Sequence, residues 1–308
     1  MKPVLLAEVN ISEGKNAVLV EQLVSTLRRF PGLHILEVTS DADHNRTVFT
    51  YLGEPGQVLQ ATQSLAATAL ELIDMTQHKG SHPRLGAVDV VPFVPVRGTS
   101  VAEAVEVARA FGRFIGSRGV PVYYYEEAAL RPGRTLLPEI RRGEYEGLPD
   151  KLKDPQWVPD EGPATFNAKS GAVVTGVRFP LVALNVNLRT RDLAVAQRIA
   201  RAVRHSNGGY RYVRALGLAL EAEGMVQVSM NLTNYSLTPI PRVLETVRAE
   251  AARYGVSVAG TELVGPLPLA ALEEIVRYYL QAHEFSISQV VESALLDSAD
   301  GNPRPRPS

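Results

Sequence analysis

Two imidazoles, a lysine and an arginine crowd the segment His78-Lys79-Gly80-Ser81-His82-Pro83-Arg84. Imidazole takes up and returns protons near neutral pH, so one chemistry open to this segment is an acid–base step. His78 and His82 also have the spacing of zinc ligands on a helix, but Gly80 and Pro83 interrupt a helix and no glutamate lies between the histidines. A solvated basic loop is the third reading. A second cluster, Asp41-Ala42-Asp43-His44-Asn45-Arg46, joins carboxylates, an imidazole and a guanidinium just before an apolar run. A carboxylate can orient an imidazole and an arginine can clamp a carboxylate through paired hydrogen bonds, although Asp and Asn are equally at home in an ordinary strand connection. A third stretch, Gly162 to Ala172, mixes glycines, hydroxyls and the ring of Phe166. Backbone at Gly171 could approach a flat ligand closely, with Phe166 as a stacking face; a plain interdomain linker has the same composition. Of the other histidines, His34 sits at a strand entrance, His283 beyond a late helix, and His205 before the turn-forming Ser206-Asn207-Gly208-Gly209.

The elements that must position these groups follow from periodicity. Strands are predicted at Val4 to Val9, Ile35 to Val38, Thr47 to Leu52, Val88 to Val96 and Val120 to Tyr125. Between them, helices carry apolar stripes through Leu19, Leu23 and Leu27, through Gln57 to Leu72, and through Val101, Val105, Ala108 and Ile115; Ser100 and Glu103 form a capping box for the last. From Glu126 to Gly171 periodicity fades and Pro, Gly and charge dominate, which marks a functional segment or a linker. Trp157 and Tyr123 to Tyr125 read as packing residues. The second half repeats the element order of the first: a strand with Asn185 and Asn187, a helix from Asp192 to Val203, strands at Val213 to Leu218 and Val226 to Leu232, a helix opened by Thr238-Pro239, a strand at Val256 to Val264 and a helix at Leu269 to Leu280. Strand–helix–strand–strand–helix–strand, twice over, is the order of a ferredoxin-like sheet. The expectation is an α/β (α+β) chain of two subdomains, residues 1–178 and 179–298, with a disordered Pro-rich tail over 299–308.

Composition limits the partners. With 308 residues, 45% hydrophobic and 21% charged, the chain can fill two cores. A net charge of −1 without a basic face argues against nucleic acid, and no run approaches the roughly 20 apolar residues of a membrane span. Val4 to Ala7 is too short for a signal peptide. Cysteine is absent, which removes disulfides, thiolate nucleophiles and sulfur-ligated zinc and fits a reducing compartment, so a cytoplasmic setting is expected. The sequons at Asn10, Asn45, Asn231 and Asn234 then go unglycosylated, leaving these side chains free.

The order of several motifs resembles the formiminotransferase family, the glutamate formiminotransferases of histidine breakdown. The likeness runs over roughly residues 4 to 285 and rests on Asn10-Ile11-Ser12-Glu13-Gly14, Asn45-Arg46-Thr47-Val48, Ile73-Asp74-Met75 through His82-Pro83-Arg84, Pro92 to Gly98, Gly143-Glu144-Tyr145-Glu146, Val174-Thr175-Gly176 and Gln227-Val228-Ser229. The resemblance implies two ferredoxin-like subdomains with facing mixed sheets and helices on the outer faces, a folate-binding tunnel between them, and a homodimer. It implies that His82 is the catalytic histidine and that Pro163, Ala164, Thr165, Phe166, Asn167, Ala168, Lys169, Ser170, Gly171 and Ala172 contact folate. Vertebrate relatives carry an aspartate where this chain has Thr39, so Asp41 or Asp43 is expected to orient the histidine, with Asp43 counted in the catalytic set. Relatives often have proline where this chain has Val9. Asn10, His44, Asn45, Arg46, Lys79 and Arg84 are candidates for binding substrate. The implied reaction moves a formimino group from N-formimino-L-glutamate to the co-substrate tetrahydrofolate, without a metal. A separate protein must then supply the cyclodeaminase that vertebrate relatives carry fused. Two rivals are a formyl transfer from N-formylglutamate on the same scaffold and a non-catalytic folate-binding protein.

Overall fold

In the computed structural model, which describes residues 2–293, the chain divides into two units, one ending at Arg178 and the other beginning at Phe179. The Pro-rich tail expected to be disordered lies outside the described residues.

The first unit runs β1 (Leu5–Ile11), α1 (Ala17–Arg28), β2 (His34–Asp41), β3 (Arg46–Gly53), α2 (Pro55–Leu72), β4 (Val88–Pro95), α3 (Val101–Gly116), β5 (Val122–Glu126), the short α4 (Leu137–Arg141) and α5 (Leu148–Lys151), and β6 (Val173–Val177). Its sheet has the order β2-β3-β1-β4-β6-β5. The first four strands pair antiparallel as the ferredoxin-like order predicts. Two more are added at the β4 edge. Helix α3 crosses back so that β5 runs parallel, and the chain then returns through the irregular segment to insert β6 between β4 and β5. Sequence periodicity marks β5 but neither β6 nor the order in which it inserts.

Local signals explain where the helices begin. Asn16 caps α1 by accepting from the N–H groups of Val18 and Leu19, and Ser100 with Glu103 forms the expected reciprocal capping box on α3. Alternate residues of β1 (Leu5, Ala7, Val9, Ile11) are fully buried against Leu23, Leu27, Leu65, Ala69, Ala108 and Phe111 of the three helices. The opposite face is treated differently at its two ends. Over β4, β6 and β5 the irregular segment folds down, packing Ile140, Leu148 and Leu152 on Val90, Tyr123, Tyr125 and Val174. Trp157 closes this small core edge-on to Tyr123 at 6.2 Å. The segment is therefore a folded cover on half the sheet, anchored by the buried pair Arg134–Asp160.

The second unit runs β7 (Val182–Leu188), α6 (Leu193–Val203), β8 (Val213–Leu220), β9 (Met225–Leu232), α7 (Ile240–Arg253), β10 (Val258–Val264) and α8 (Leu269–Leu280). Its four antiparallel strands lie in the order β10-β7-β9-β8, the ferredoxin-like order again. Val182, Leu184, Val186 and Leu188 of β7 join Val228, Met230, Ile199 and Val243 in one core on the helix side. One expected cap differs. The Thr238 hydroxyl donates to the Arg211 carbonyl at 2.6 Å, so Pro239 stands at the helix start and α7 begins one residue later.

Candidate functional site

Strands β2 and β3 extend to the tip of their hairpin, where Asp41 pairs with Arg46. The Asp41–Arg46 cluster is thus a tight turn at the sheet edge. Asn45 occupies its left-handed corner (φ 50°), a conformation Asn tolerates better than most residues. Both ends of its carboxamide are used: Oδ1 accepts from Gly14 N at 2.9 Å, and Nδ2 donates to the Lys79 carbonyl at 3.0 Å. One buried side chain thereby holds the loop after β1, the hairpin tip and the His78–Arg84 loop together. The glycines at the crossing have a steric reason, since a Cβ at Gly14 would fall 2.3 Å from the Asp41 carbonyl and one at Gly80 2.3 Å from that of His44.

Against this frame Arg46 Nη1 donates to His82 Nε2 at 2.7 Å. A guanidinium has no acceptor, so Nε2 must be a lone pair and the ring proton must sit on Nδ1. Burial is the main force holding the imidazole neutral, followed by the charges of Arg46, Arg141 and His44; a backbone hydrogen bond at Pro83 acts the other way, and the net result is a pKa pushed down to about 4. The His44 ring stands edge-on to that of His82 at 6.1 Å.

The carboxylate expected to orient His82 is placed elsewhere. Asp41 accepts from the His44 backbone at 2.8 Å and bonds His44 Nδ1 at 2.7 Å, and these bonds hold its carboxyl below the usual range. The two residues are three apart in one turn, which makes this the shortest connection. Asp43 contributes its carbonyl, which accepts from Ser81 N and Oγ, each at 3.2 Å.

A second guanidinium, not anticipated from the sequence, completes the charge pattern. Arg141, the last residue of α4, pairs with Asp89 of β4, whose other oxygen accepts from Leu85 N at 2.8 Å. Its positive charge disfavours the protonated forms of both His82 and Arg46. Asp89 did leave a signal. A carboxylate inside Ala87-Val88-Asp89-Val90-Val91 requires a buried partner. Nothing local marks Arg141, because its partner is set by how the irregular segment folds.

Of the remaining predicted residues, Arg84 is half-consumed by structure. Its guanidinium bonds Glu146 at 2.6 and 2.9 Å and Glu144 at 3.3 Å. Its Nε donates to His78 Nδ1 at 3.3 Å, and His78 Nε2 in turn donates to the Asn45 carbonyl at 3.0 Å. His78 is therefore a strut between Arg84 and the hairpin tip. Lys79 is exposed and its carbonyl receives Lys15 Nζ at 3.2 Å. Asn10 donates to the Glu8 carbonyl at 3.3 Å, while the Glu8 carboxylate pairs with Arg178. A cavity of about 660 Å³ is lined by His78, Lys79, Gly80, Arg84, Glu144 and Glu146, but not by His82 or Arg46. Its carboxylates already neutralise its arginine, whereas the guanidinium at His82, that of Arg46, is bonded to a neutral ring. Among the described residues no group of three or more His, Cys, Asp or Glu has metal-binding proximity.

The stretch 163–172 lies beside the same loop. Met75 N donates to the Lys169 carbonyl and Ala87 N to that of Ser170, both at 2.9 Å, and Ala172 N donates to that of Leu85 at 3.1 Å. Asn167 holds the turn by donating to the Gly119 carbonyl and accepting from Ser170 N. Phe166 keeps 36% of its surface exposed beside the Tyr145 ring, 5.4 Å away, and the Tyr145 hydroxyl donates to the Ala168 carbonyl. Pro163, Ala164 and Thr165 lead into this turn. Gly171 has φ 69°, and a Cβ there would meet the Leu85 carbonyl at 2.1 Å. Gly171→Ala is therefore expected to lower the melting temperature by several degrees, since each kcal/mol shifts a unit this size by roughly 2–4 °C. Calorimetry checks it, and an unchanged melting point would show that the backbone can yield there.

These features define a two-unit α/β protein whose first unit sets a neutral imidazole against the Arg46 guanidinium beside a glycine-turned loop. The model of the formiminotransferase domain, N-terminal subdomain, matches residues 4–178, and that of the formiminotransferase domain matches 183–297. The glutamate formimidoyltransferase of Streptococcus pyogenes serotype M1 is 42% identical over 289 residues, 93% of this chain and 97% of that protein. Its counterpart from Thermoplasma acidophilum is 41% identical over 294 residues, 94% and 97% of the two chains. The formimidoyltransferase-cyclodeaminase of Rattus norvegicus is 43% identical over 277 residues, 88% of this chain but 51% of that longer protein. The chain belongs to the formiminotransferase family.

Proposed function

We infer that this protein transfers the formimino group of N-formimino-L-glutamate to tetrahydrofolate, with His82 as the acid–base residue. The observation that carries the chemistry is the Arg46–His82 contact, together with near full-length likeness to proteins named for this reaction.

At rest, Arg46 caps the Nε2 lone pair of a neutral His82. A glutamate carboxylate is a stronger acceptor than imidazole and forms paired, charge-assisted bonds with a guanidinium. Binding of the donor draws Arg46 toward that carboxylate and exposes Nε2. The N5 amine of tetrahydrofolate attacks the formimino carbon, forming the N5–C bond and passing its proton to His82 Nε2. The tetrahedral adduct then breaks its bond to the glutamate nitrogen, which takes that proton back. The products are 5-formiminotetrahydrofolate and glutamate, and the imidazole ends as it began. The exposed Phe166 beside Tyr145 offers an aromatic face to a folate ring, in keeping with the folate role assigned to residues 163–172. The same reading carries a cytoplasmic homodimer whose product passes to a separate cyclodeaminase. In support, relatives occur alone and fused to one, and among the described residues no helix is long and apolar enough to cross a membrane.

The choice of donor is tested by comparing kcat/KM for N-formiminoglutamate and N-formylglutamate. A formimino group can arrive as a cation and then gains from a nearby carboxylate such as Asp41, as a neutral formyl group does not, so the formimino donor is expected to win. A formyl preference of about tenfold, roughly 1.4 kcal/mol in transition-state binding, overturns the choice.

A further inference from the structure

The carboxylate expected to orient His82 serves another imidazole, and the pairing has the form of a proton-transfer dyad. Asp41 accepts from the His44 backbone N–H through Oδ1 and from His44 Nδ1 through Oδ2, at 2.8 and 2.7 Å. A carboxylate has only acceptors, so it fixes a proton on Nδ1 and leaves Nε2 as the atom that exchanges protons. His44 Nε2 has no hydrogen-bond partner among the described residues, and the side chain keeps 47% of its surface exposed.

The dyad is held against the His82 loop residue by residue. Ser81 N and Oγ donate to the Asp43 carbonyl, each at 3.2 Å. Gly80 lies so close to the His44 carbonyl that a Cβ would fall 2.3 Å from it, and Asn45 Nδ2 donates to the Lys79 carbonyl at 3.0 Å. Positions 43, 44 and 45 of the turn thus lie along 81, 80 and 79 of the loop. This contact sets the His44 and His82 rings edge-on with centroids 6.1 Å apart. Rings this close can both reach one nitrogen lying beside them through ordinary hydrogen bonds of about 2.9 Å.

The transfer calls for a proton that His82 does not hold. His82 returns to the glutamate nitrogen only the proton it took from N5, and with its pKa pushed down to about 4 it carries none of its own at neutral pH. The nitrogen so released is a neutral amine, the mirror of N5, and its lone pair can attack the formimino carbon again. A second proton makes it an ammonium, which has no lone pair to attack with. Arg46 and Arg141 keep their protons in this range, and His78 has both ring nitrogens engaged. An imidazole open to water is the side chain that reloads with protons near neutral pH. We propose that His44 is a second catalytic residue, giving this proton to the departing glutamate amine, with Asp41 orienting its ring. The Nε2–H bond of the protonated ring breaks and leaves its electron pair on His44, an N–H bond forms on the amine, and the ring recovers a proton from solvent at its exposed side. The assignment rests on the transferase reading above and adds the step that commits the formimino group to folate.

The test is turnover of N-formiminoglutamate with tetrahydrofolate by the full-length protein, with and without added imidazole. His44→Ala is expected to lower kcat about 10- to 10²-fold, with the donor KM and the folate Kd within a few-fold. Added imidazole should restore part of that loss as a diffusible acid and leave the unsubstituted protein unchanged. His44→Gln can still donate to Asp41 but has no proton to give, so it should keep the hairpin bonded, hold the melting temperature and lose kcat to a similar degree. Asp41→Asn presents an N–H where Nδ1 needs an acceptor; kcat should fall, and imidazole should not rescue it because His44 still fills the space. A kcat within twofold of the unsubstituted protein in His44→Ala or His44→Gln overturns the assignment. So does a loss in His44→Ala that imidazole leaves unrestored, which makes His44 part of the hairpin frame, and so does a loss confined to the donor KM. In each case the transferase reading stands; if the unsubstituted protein does not turn the donor over at all, both fall.

Discussion

His82→Ala is expected to lower kcat by about 10²-fold or more while tetrahydrofolate binding persists. A factor of 10² corresponds to about 2.7 kcal/mol of transition-state stabilisation, within the usual range for one general acid–base group. The imidazole is suited to the base role because burial and two guanidinium charges keep it neutral at working pH, with its lone pair on the nitrogen that faces Arg46. Neither Arg46 nor Arg141 can replace it, since guanidinium does not give up its proton in this pH range. His78→Ala provides the contrast. That ring is clamped between Arg84 and the Asn45 carbonyl, so its loss should reduce stability while kcat stays within a few-fold. The measurements are steady-state kinetics, a folate Kd and a melting curve for each variant. Near wild-type kcat in His82→Ala would remove the imidazole from the mechanism. A loss confined to KM would make it a binding group instead.

How far the sequence revealed this site depended on whether each contact was local. The turn from Asp41 to Arg46 and the loop from His78 to Arg84 stood out because polar, functional residue types interrupt apolar periodicity. The capping box at Ser100 and the repeated element order rest on spacings of three residues and on periods of 2 and 3.6, and both appear in the structure. Pairing across the chain was not accessible in the same way. Asp41 could be seen as a carboxylate able to orient a histidine, but three histidines lay within reach and only the turn geometry selects His44. Arg84 looked like a free cation because Glu144 and Glu146 are some sixty positions away. Arg141 sits in a stretch without periodicity, and Asp89 fixes it only once α4 has folded onto the sheet.

Arg46→Met should lower kcat/KM about 10- to 10²-fold, mostly through KM, and should raise the pKa of His82. The first effect follows from losing hydrogen bonds to a charged acceptor, worth roughly 1.5–3 kcal/mol. The second follows from the causes of the depressed value. Burial comes first and remains in the variant, as does Arg141, so the rise stops short of the ordinary value; Arg46 is the next cause and is removed. The sign is fixed by linkage. The unfolded chain takes up a proton on His82 near the ordinary histidine pKa of about 6.5, whereas the folded protein resists it until about pH 4, so stability is lost as pH falls through that window. Raising the folded pKa narrows the window and lessens the acid sensitivity. For catalysis the shift runs the other way. The base form of His82 survives to about pH 4 in the intact protein, but in Arg46→Met it is protonated at a higher pH, moving the acid limb of kcat/KM upward. Imidazole NMR titration of the free protein separates the histidine from the titration of either substrate. A His82 pKa that does not rise, together with an unchanged KM for the donor, would mean that the Arg46–His82 contact takes no part in either binding or proton transfer.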